Sequence, residues 1–376
     1  MVVSVGFNSV FSSNGSTLSL RLREYNSGVP SVPISGPSIV AGFESGIYIG
    51  GSGGLSGLLT STRASDGKYI DSSGLLQTAA PNTPRINHHL WDGANFVDAG
   101  LLTEVSATNL LLNSDTLSTQ NVTVAAVPYV LHFTGTGFVN VTGATVLPTL
   151  FGLGAGEENR VSVTFTPPAG ELVISVSGSV LFAQLETGNI PSSHITTTGA
   201  AATRAADATF IPSAVIAAEI LGATGSPNMP TAISIATEGR MSYSDLDVSE
   251  EVTFVDWRKD NLNYISAYLD TASTRTGQAI FIQRETTSGL DVAFSDGDAY
   301  TPGVNVPFSI ASYHTDGAIN GAHDGTLLTA NETPTALPDL VTADFEIGST
   351  GNFVIGEVRI WFYNLGDSGI QEASQI

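Results

Sequence analysis

Few residues in this chain are spaced as a reaction centre needs them. Gly50-Gly51-Ser52-Gly53-Gly54 satisfies the G-x-S-x-G pattern. A nucleophile elbow also needs a strand before the serine and a helix after it, and the flanks here are glycine and serine. The same run lacks the lysine of a phosphate loop. Glycosidase chemistry on one strand needs carboxylates at alternate positions, so that both face one bond. Glu157-Glu158 and Glu250-Glu251 are adjacent pairs, which a strand would point to opposite faces, so solvated turns are their expected place. Of six histidines (His88, His89, His132, His194, His314, His323) none are paired at i,i+4, and no H-E-x-x-H occurs. His88-His89 suit a subunit contact or a solvated loop. His314, Asp316, His323 and Asp324 surround one hairpin, where convergence on a metal is a weak option. Asp291, Asp296 and Asp298 lie on and after one strand, and the Asp-Gly-Asp turn makes Asp296 and Asp298 the candidate ligands for calcium. Ordinary turn chemistry accounts for the same residues. Sugar binding needs exposed aromatic rings. Trp91, Trp257, Trp361 and Tyr363 are the candidates, with Trp257, Trp361 and Tyr363 favoured. Core or interface packing is the competing use of each tryptophan.

The elements that would position these residues are strands. Forty glycines, seventeen prolines and abundant Ser, Thr and Val favour short strands joined by turns. In residues 17–23, Leu18, Leu20 and Leu22 alternate with polar residues, giving a ribbon that needs a partner sheet. Residues 26–62 have the Gly/Ser/Pro composition of a loop or linker. Residues 63–114 read as an extended, turn-rich strap. From about 113 to 205 the strand signal is dense: Tyr129, Leu131 and Phe133; Val161, Val163 and Phe165; Leu172, Ile174 and Val176; then Val180 and Phe182. Further strands are expected near 252–255, 264–269, 279–283, 290–294 and 308–313. In the last strand Val358, Ile360 and Phe362 face one side and Arg359, Trp361 and Tyr363 the other. The phrase R-A-(S/A)-D occurs at 63–66 and again at 204–207, each time leading into a new element, which suggests a junction signature.

The fold class expected is all-β: an extended N-terminal ribbon and strap over 1–112, then two antiparallel β-sandwich domains over 113–205 and 206–376. With 376 residues there is room for two or three domains. The formal net charge of −22 repels phosphate backbones and anionic lipid, so nucleic acid is not an expected partner. No apolar run reaches the ~20 residues that cross a bilayer, and the N-terminus lacks the pattern of a signal peptide. The absence of cysteine excludes disulfides and thiolate metal sites.

Several stretches also resemble known proteins. The strap carries Arg63-Ala64-Ser65, Tyr69, Asp71, Gly74, Leu76, Thr78-Ala79 and Pro84-Arg85, then Gly100-Leu101-Leu102, Glu104 and Thr108-Asn109-Leu110-Leu111. These match a segment that recurs in bacteriophage virion proteins of the tail-fibre and head-fibre kind. Ala183-Gln184-Leu185-Glu186, Pro191-Ser192-Ser193, Thr197-Thr198-Gly199 and Thr203-Arg204 resemble the close of carbohydrate-binding-module-like jelly rolls. Residues 353–371, with Gly356-Glu357-Val358-Arg359-Ile360-Trp361 at their centre, resemble the last strand of concanavalin A-like, laminin-G-like domains, whose rims often hold calcium. That resemblance places a hairpin turn at Asn320-Gly321. Together the resemblances imply a non-enzymatic component of the phage particle surface. It would attach to capsid, portal or tail proteins, assemble as a homo-oligomer (a trimer in that company) and bind host-surface glycans without entering the membrane. The rival readings are a decorating protein that only stabilises the particle, and a polysaccharide depolymerase.

Overall fold

Period-two alternation places most of this chain in strands. The computed structural model describes residues 36–285 and 290–375. The ribbon expected at 17–23 lies outside them. The fold is all-β and built from antiparallel sheets, with only short helical segments.

In the smaller sandwich four of the seven strands fall where the alternation placed them. One sheet pairs Val161–Phe165, Tyr129–Gly135 and Val180–Thr187, in that order. The other pairs Leu150–Phe151, Phe138–Gly143, Gly170–Ser177 and Gln120–Val124. Their inward residues, among them Leu131, Phe133, Val139, Val141, Leu172 and Ile174, form one dry cluster. A two-stranded ladder of Ala107–Asn109 with Ala202–Arg204 ties its two ends together, so the unit starts before residue 113.

The larger sandwich is not the contiguous 206–376 domain the sequence suggested. Its nine-stranded sheet runs Ile47–Ile49, Ile39–Gly42, Asn352–Trp361, Ala232–Tyr243, Gly303–Thr315, Ile319–His323, Thr326–Leu327, with the hairpin Arg85–Trp91/Phe96–Thr103 also joined to Asn352–Trp361. Its seven-stranded sheet runs Leu290–Phe294, Gln278–Arg284, Asn263–Asp270, Val252–Asp260, Phe345–Thr350, Ala208–Ile211, Thr60–Thr62. Residues 36–62 are therefore sheet-forming and not a linker, and the strap supplies strands to the sandwich that follows it. Between the sheets Phe254 packs 4.7 Å from Phe308 and 5.9 Å from Phe353, ring centre to ring centre. Each such fully buried aromatic contributes about 1.5–3 kcal/mol relative to exposure.

Two further features differ from expectation. A helix, Ser213–Thr224, starts after Pro212, buries Ile216 and Ile220 one turn apart, and ends on left-handed Gly225. Asn320-Gly321 is not a turn. Both residues lie within Ile319–His323, opposite Tyr313 and Ser312. The reversal falls at Asp316-Gly317, where Thr315 Oγ1 accepts the Gly317 and Ala318 amides. Gly321 is required instead by packing, because a β-carbon there would sit 2.2 Å from the Phe281 ring.

Candidate functional site

The two R-A-(S/A)-D phrases meet. Arg63 Nη1 donates to Asp207 Oδ1 at 2.8 Å. Arg85 Nη2 donates to Asp207 Oδ2, and Arg85 Nη1 donates to Glu104 Oε2 at 2.6 Å. Arg204 completes the group, with Nη2 3.5 Å from Glu104 Oε2. All five side chains are buried. Glu104 accepts two more hydrogen bonds, from the Ser193 amide and hydroxyl, both at 2.6 Å. Burial alone would raise the Glu104 carboxyl, but Arg204, Arg85 and the Ser193 hydroxyl outweigh it and hold it well below the usual range. Burial likewise opposes the Arg85 charge, and the carboxylates of Glu104 and Asp207 overcome it, raising its pKa. The node joins the strap, the smaller sandwich and the larger one.

Beside the node opens a cleft of about 420 Å³. The strap hairpin forms one wall. Trp91 ends its first strand and Phe96 begins its second, directly opposite. The rings lie 5.1 Å apart, tilted by 54°. Between them Asp92 Oδ1 accepts the Ala94 and Asn95 amides, closing the turn. Trp91 is 43% exposed. The smaller sandwich supplies Arg160, Ser162, Thr164 and Asn189, and the larger supplies Asn305 and Asn352. Arg160 Nε donates to Glu157 Oε2 at 2.9 Å, its Nη2 reaches the same oxygen, and its Nη1 donates to the Ser192 carbonyl at 3.4 Å. His88 is buried in the floor, where its Nδ1 accepts the Ile70 amide. Burial outweighs the opposing Glu104 carboxylate and, with Arg85 and Arg160 adding to it, brings its pKa down to about 3, so it is neutral at pH 7. A second hollow of about 450 Å³ shares Leu90, Trp91 and Asn305 with the first. One exposed indole thus borders two hollows, the first rimmed by asparagine amides and serine and threonine hydroxyls, the second by Glu44, Asp92, Asp98, Arg240 and Asn305.

The residues favoured from sequence are not at this cleft. Trp257 is fully buried between the sheets of the larger sandwich, its Nε1 donating to the carbonyls of Leu340 and Ala343. It has no face to offer a sugar. Trp361 does lie on the side of its strand away from Val358 and Ile360, but the helix Gly366–Ala373 covers that side, leaving it 4% exposed in a small core with Ile370 and Ala373. Tyr363 is half-buried against the same core. Asp298 is engaged as a turn residue: its carboxylate accepts the Thr276 and Gly277 amides and the Thr276 hydroxyl. Asp296 is exposed, and Asp291 turns away to accept the Thr335 amide and hydroxyl. Among the described residues no group of three His, Asp or Glu side chains is placed to hold a metal. His314, Asp316, His323 and Asp324 do not converge either. His314 is buried against Ser312, Asp316 accepts the Leu337 amide, and Asp324 accepts the Ser309 amide. Of the four aromatic candidates, Trp91 alone combines an exposed ring with a cleft. The signal for it was local: it is the tryptophan adjacent to a turn sequence, Asp92-Gly93-Ala94-Asn95, so its strand ends at a rim.

No family model and no curated protein matches this chain. Among solved structures it is similar to the binding domain of botulinum neurotoxin DC in complex with rat synaptotagmin II, at 14% identity and a TM-score of 0.34, over 44% of this chain and 39% of that one. It is similar to the Ruminococcus gnavus sialidase CBM40 bound to α2,3-sialyllactose at 13% identity and a TM-score of 0.30, over 39% of this chain and 84% of that one. A botulinum neurotoxin type C structure, described by its interaction with two ganglioside molecules, gives 15% identity and a TM-score of 0.34, over 46% of this chain and 40% of that one. The chain thus spans about two fifths of the neurotoxin chains it matches. Superpositions this loose establish neither fold nor ligand.

Proposed function

We propose that this protein is a non-enzymatic, glycan-binding component of a bacteriophage particle surface, of the head- or tail-fibre type, and that the Trp91 cleft is its sugar site. The observation that carries the reading is the exposed Trp91, braced by Phe96, between a hollow lined by asparagine amides and serine and threonine hydroxyls and a second lined by Asn305, Arg240 and the carboxylates of Glu44, Asp92 and Asp98. An amphipathic ring wall with a few convergent polar groups is what a pyranose needs: a flat apolar face to stack on and partners for its hydroxyls. The non-enzymatic part is supported by how the nearby carboxylates are engaged. Glu104 is locked ionised in the arginine node, and Glu157 is bound by Arg160. Glu104 is thus not held as the protonated acid that glycoside cleavage requires. The phage context rests on the strap, whose resemblance residues Arg63, Arg85 and Glu104 build the node beside the cleft. Multivalent display on an oligomer would turn a weak site into firm attachment.

The decorating-protein reading has one observation of its own. Val146, Phe151 and Leu153 of the smaller sandwich are 73%, 65% and 72% exposed, an apolar set that suits a contact with another virion protein. The test separates the two. Purified protein is added to host cells in competition with phage adsorption, as wild type and as Trp91→Ala. Saturable binding that blocks adsorption and is lost in Trp91→Ala is the expected result. Failure of the native oligomer to bind cells at all moves the assignment to particle decoration.

A further inference from the structure

Resting on that reading of the Trp91 cleft, we infer that its ligand is an extended oligosaccharide without carboxylate, sulfate or phosphate groups, lying across Trp91 from one hollow into the other. Length follows from the shared wall. Leu90, Trp91 and Asn305 border both cavities, so a chain stacked on Trp91 has polar surface on either side of its stacked ring. A single sugar would fill only one.

The absence of anionic groups follows from the charges that face the ligand. In the lining of the first hollow the guanidinium is that of Arg160, which is paired with Glu157 and also donates to the Ser192 carbonyl. Glu158 lines the same hollow. The node's arginines are buried behind Glu104 and Asp207. The second hollow carries Glu44, Asp92 and Asp98 against Arg240 alone. Arg240 is itself directed to the Asn305 carbonyl, 3.2 Å from its Nη1. Behind that hollow Glu238 and Glu357 stand directly opposite each other on adjacent strands, with Arg359 2.8 Å from Glu357. Burial, and then Glu238 and Asp98, raise the Glu44 carboxyl, which is the response of a group already short of cations. A sugar carboxylate entering either hollow would meet more carboxylates than guanidinium groups: Glu104, Glu157 and Glu158 against Arg160 in the first, and Glu44, Asp92 and Asp98 against Arg240 in the second. Sugar hydroxyls and acetamido groups meet asparagine amides and serine and threonine hydroxyls in the first hollow, and in the second carboxylates that accept from a hydroxyl. Specificity here is exclusion by charge as much as attraction by stacking.

The test is binding of the full protein to a ladder of neutral hexose and N-acetylhexosamine oligosaccharides and to matched chains bearing uronate or sulfate, by calorimetry at 50 and 300 mM salt. Neutral chains should bind more tightly as they lengthen from one to several sugars and be insensitive to salt. Anionic chains should bind at least tenfold more weakly, with the gap narrowing at high salt. The double variant Glu44→Gln, Asp98→Asn should narrow the same gap at low salt. Trp91→Ala, checked for native circular dichroism, should abolish binding of both sets. Preference for anionic chains, or a monosaccharide binding as tightly as its oligomers, overturns the inference and leaves the glycan site standing, provided Trp91→Ala still removes it. Binding of no glycan by the native protein overturns the glycan site, and the inference with it.

Discussion

Replacing Asp207 by asparagine tests whether the arginine node is what holds the three parts of this chain together. Three guanidinium groups face two carboxylates there, so one positive charge is in excess; the substitution leaves two. The hydrogen bonding fails as well. Asp207 Oδ1 accepts from Arg63, and Oδ2 accepts from Arg85 and from the Glu104 amide. Whichever way an asparagine amide is turned, its NH₂ faces an N–H donor. Removing one partner from a buried ion pair costs about 3–5 kcal/mol. At about 2 °C per kcal/mol for a chain of this size, the melting temperature should fall by about 6–10 °C. The matched control is Asp256→Asn. Asp256 pairs with Arg258 2.8 Å away, but those side chains are 14% and 30% exposed. Such a pair contributes at most about 1 kcal/mol, so the control should shift by about 2 °C or less. Calorimetric unfolding of the three proteins at pH 7, in 0.15 and 0.5 M salt, gives the comparison. Salt should reduce the control's effect and leave the Asp207 effect intact, because the node is out of reach of mobile ions. An Asp207→Asn protein that melts within 2 °C of wild type would refute the reasoning.

Two other substitutions address single physical causes. His314 is buried with its Nε2 3.0 Å from the Ser312 hydroxyl, and burial alone takes its pKa down to about 3. A depressed folded-state pKa means stability that is present above the unfolded value of about 6.5 and is lost progressively as pH falls from there toward 3; at pH 5 the loss is about 2 kcal/mol. His314→Gln should therefore unfold with a pH 7-to-5 drop about 2 kcal/mol smaller than wild type, measured by urea titration at each pH, and an unchanged drop would mean that His314 is charged in the fold. Gly321→Ala drives a β-carbon against the buried Phe281 ring and should cost about 1–3 kcal/mol. Adding Phe281→Leu should recover part of that cost by freeing the space, and no recovery would place the cost in the backbone.

Four strands of the smaller sandwich, Tyr129–Gly135, Val161–Phe165, Gly170–Ser177 and Val180–Thr187, were legible because each is long enough to show its period, whereas Leu150–Phe151 is not. Val161, Val163 and Phe165 alternate cleanly, and the strand lies where they do. The strands that make the larger sandwich discontinuous were not legible for the opposite reason. Ile39–Gly42 and Thr60–Thr62 are four and three residues long, too short for a period, and Ile39–Gly42 is buried at every position so it does not alternate at all. The node was visible as a repeated phrase but not as a contact, since nothing local says that Arg63 and Asp207 meet across 144 positions. The tryptophans were misjudged because residue type was weighed without position. Trp257 lies inside a nine-residue strand of a two-sheet core, and Trp361 ends a strand that a short helix then covers. Trp91 ends a hairpin strand at a tight turn, and the rim is where a ring stays wet.

A buried cluster of five charges is a costly way to join domains, and apolar residues of like volume often do as well or better. The contacts of the arginines explain why they would not do so here. Arg63 also donates to the carbonyls of Ser65, Ala79, Ala80 and Thr83; Arg85 to that of Lys68; Arg204 to those of Val105 and Ala205. The carbonyls of Ser65, Ala79, Ala80, Thr83 and Val105 lie at bends and strand ends of the strap, where the ladders stop; Lys68 lies within the strand Gly67–Ile70, and Ala205 follows the strand Ala202–Arg204. A leucine in place of any arginine would fill the volume and leave the carbonyls it serves without those donors, at about 1–3 kcal/mol for each one buried and unpaired. The guanidinium groups thus act as the missing ladder of a segment too irregular to form one. The same groups set the cleft. Arg85 begins the strand whose other end is Trp91, and Glu104 fixes the Ser193 backbone, next to the Ser192 carbonyl that Arg160 contacts. Both walls of the cleft therefore take their register from one set of buried charges, and loosening the node should blunt the proposed binding there at a distance of several residues before it unfolds the protein.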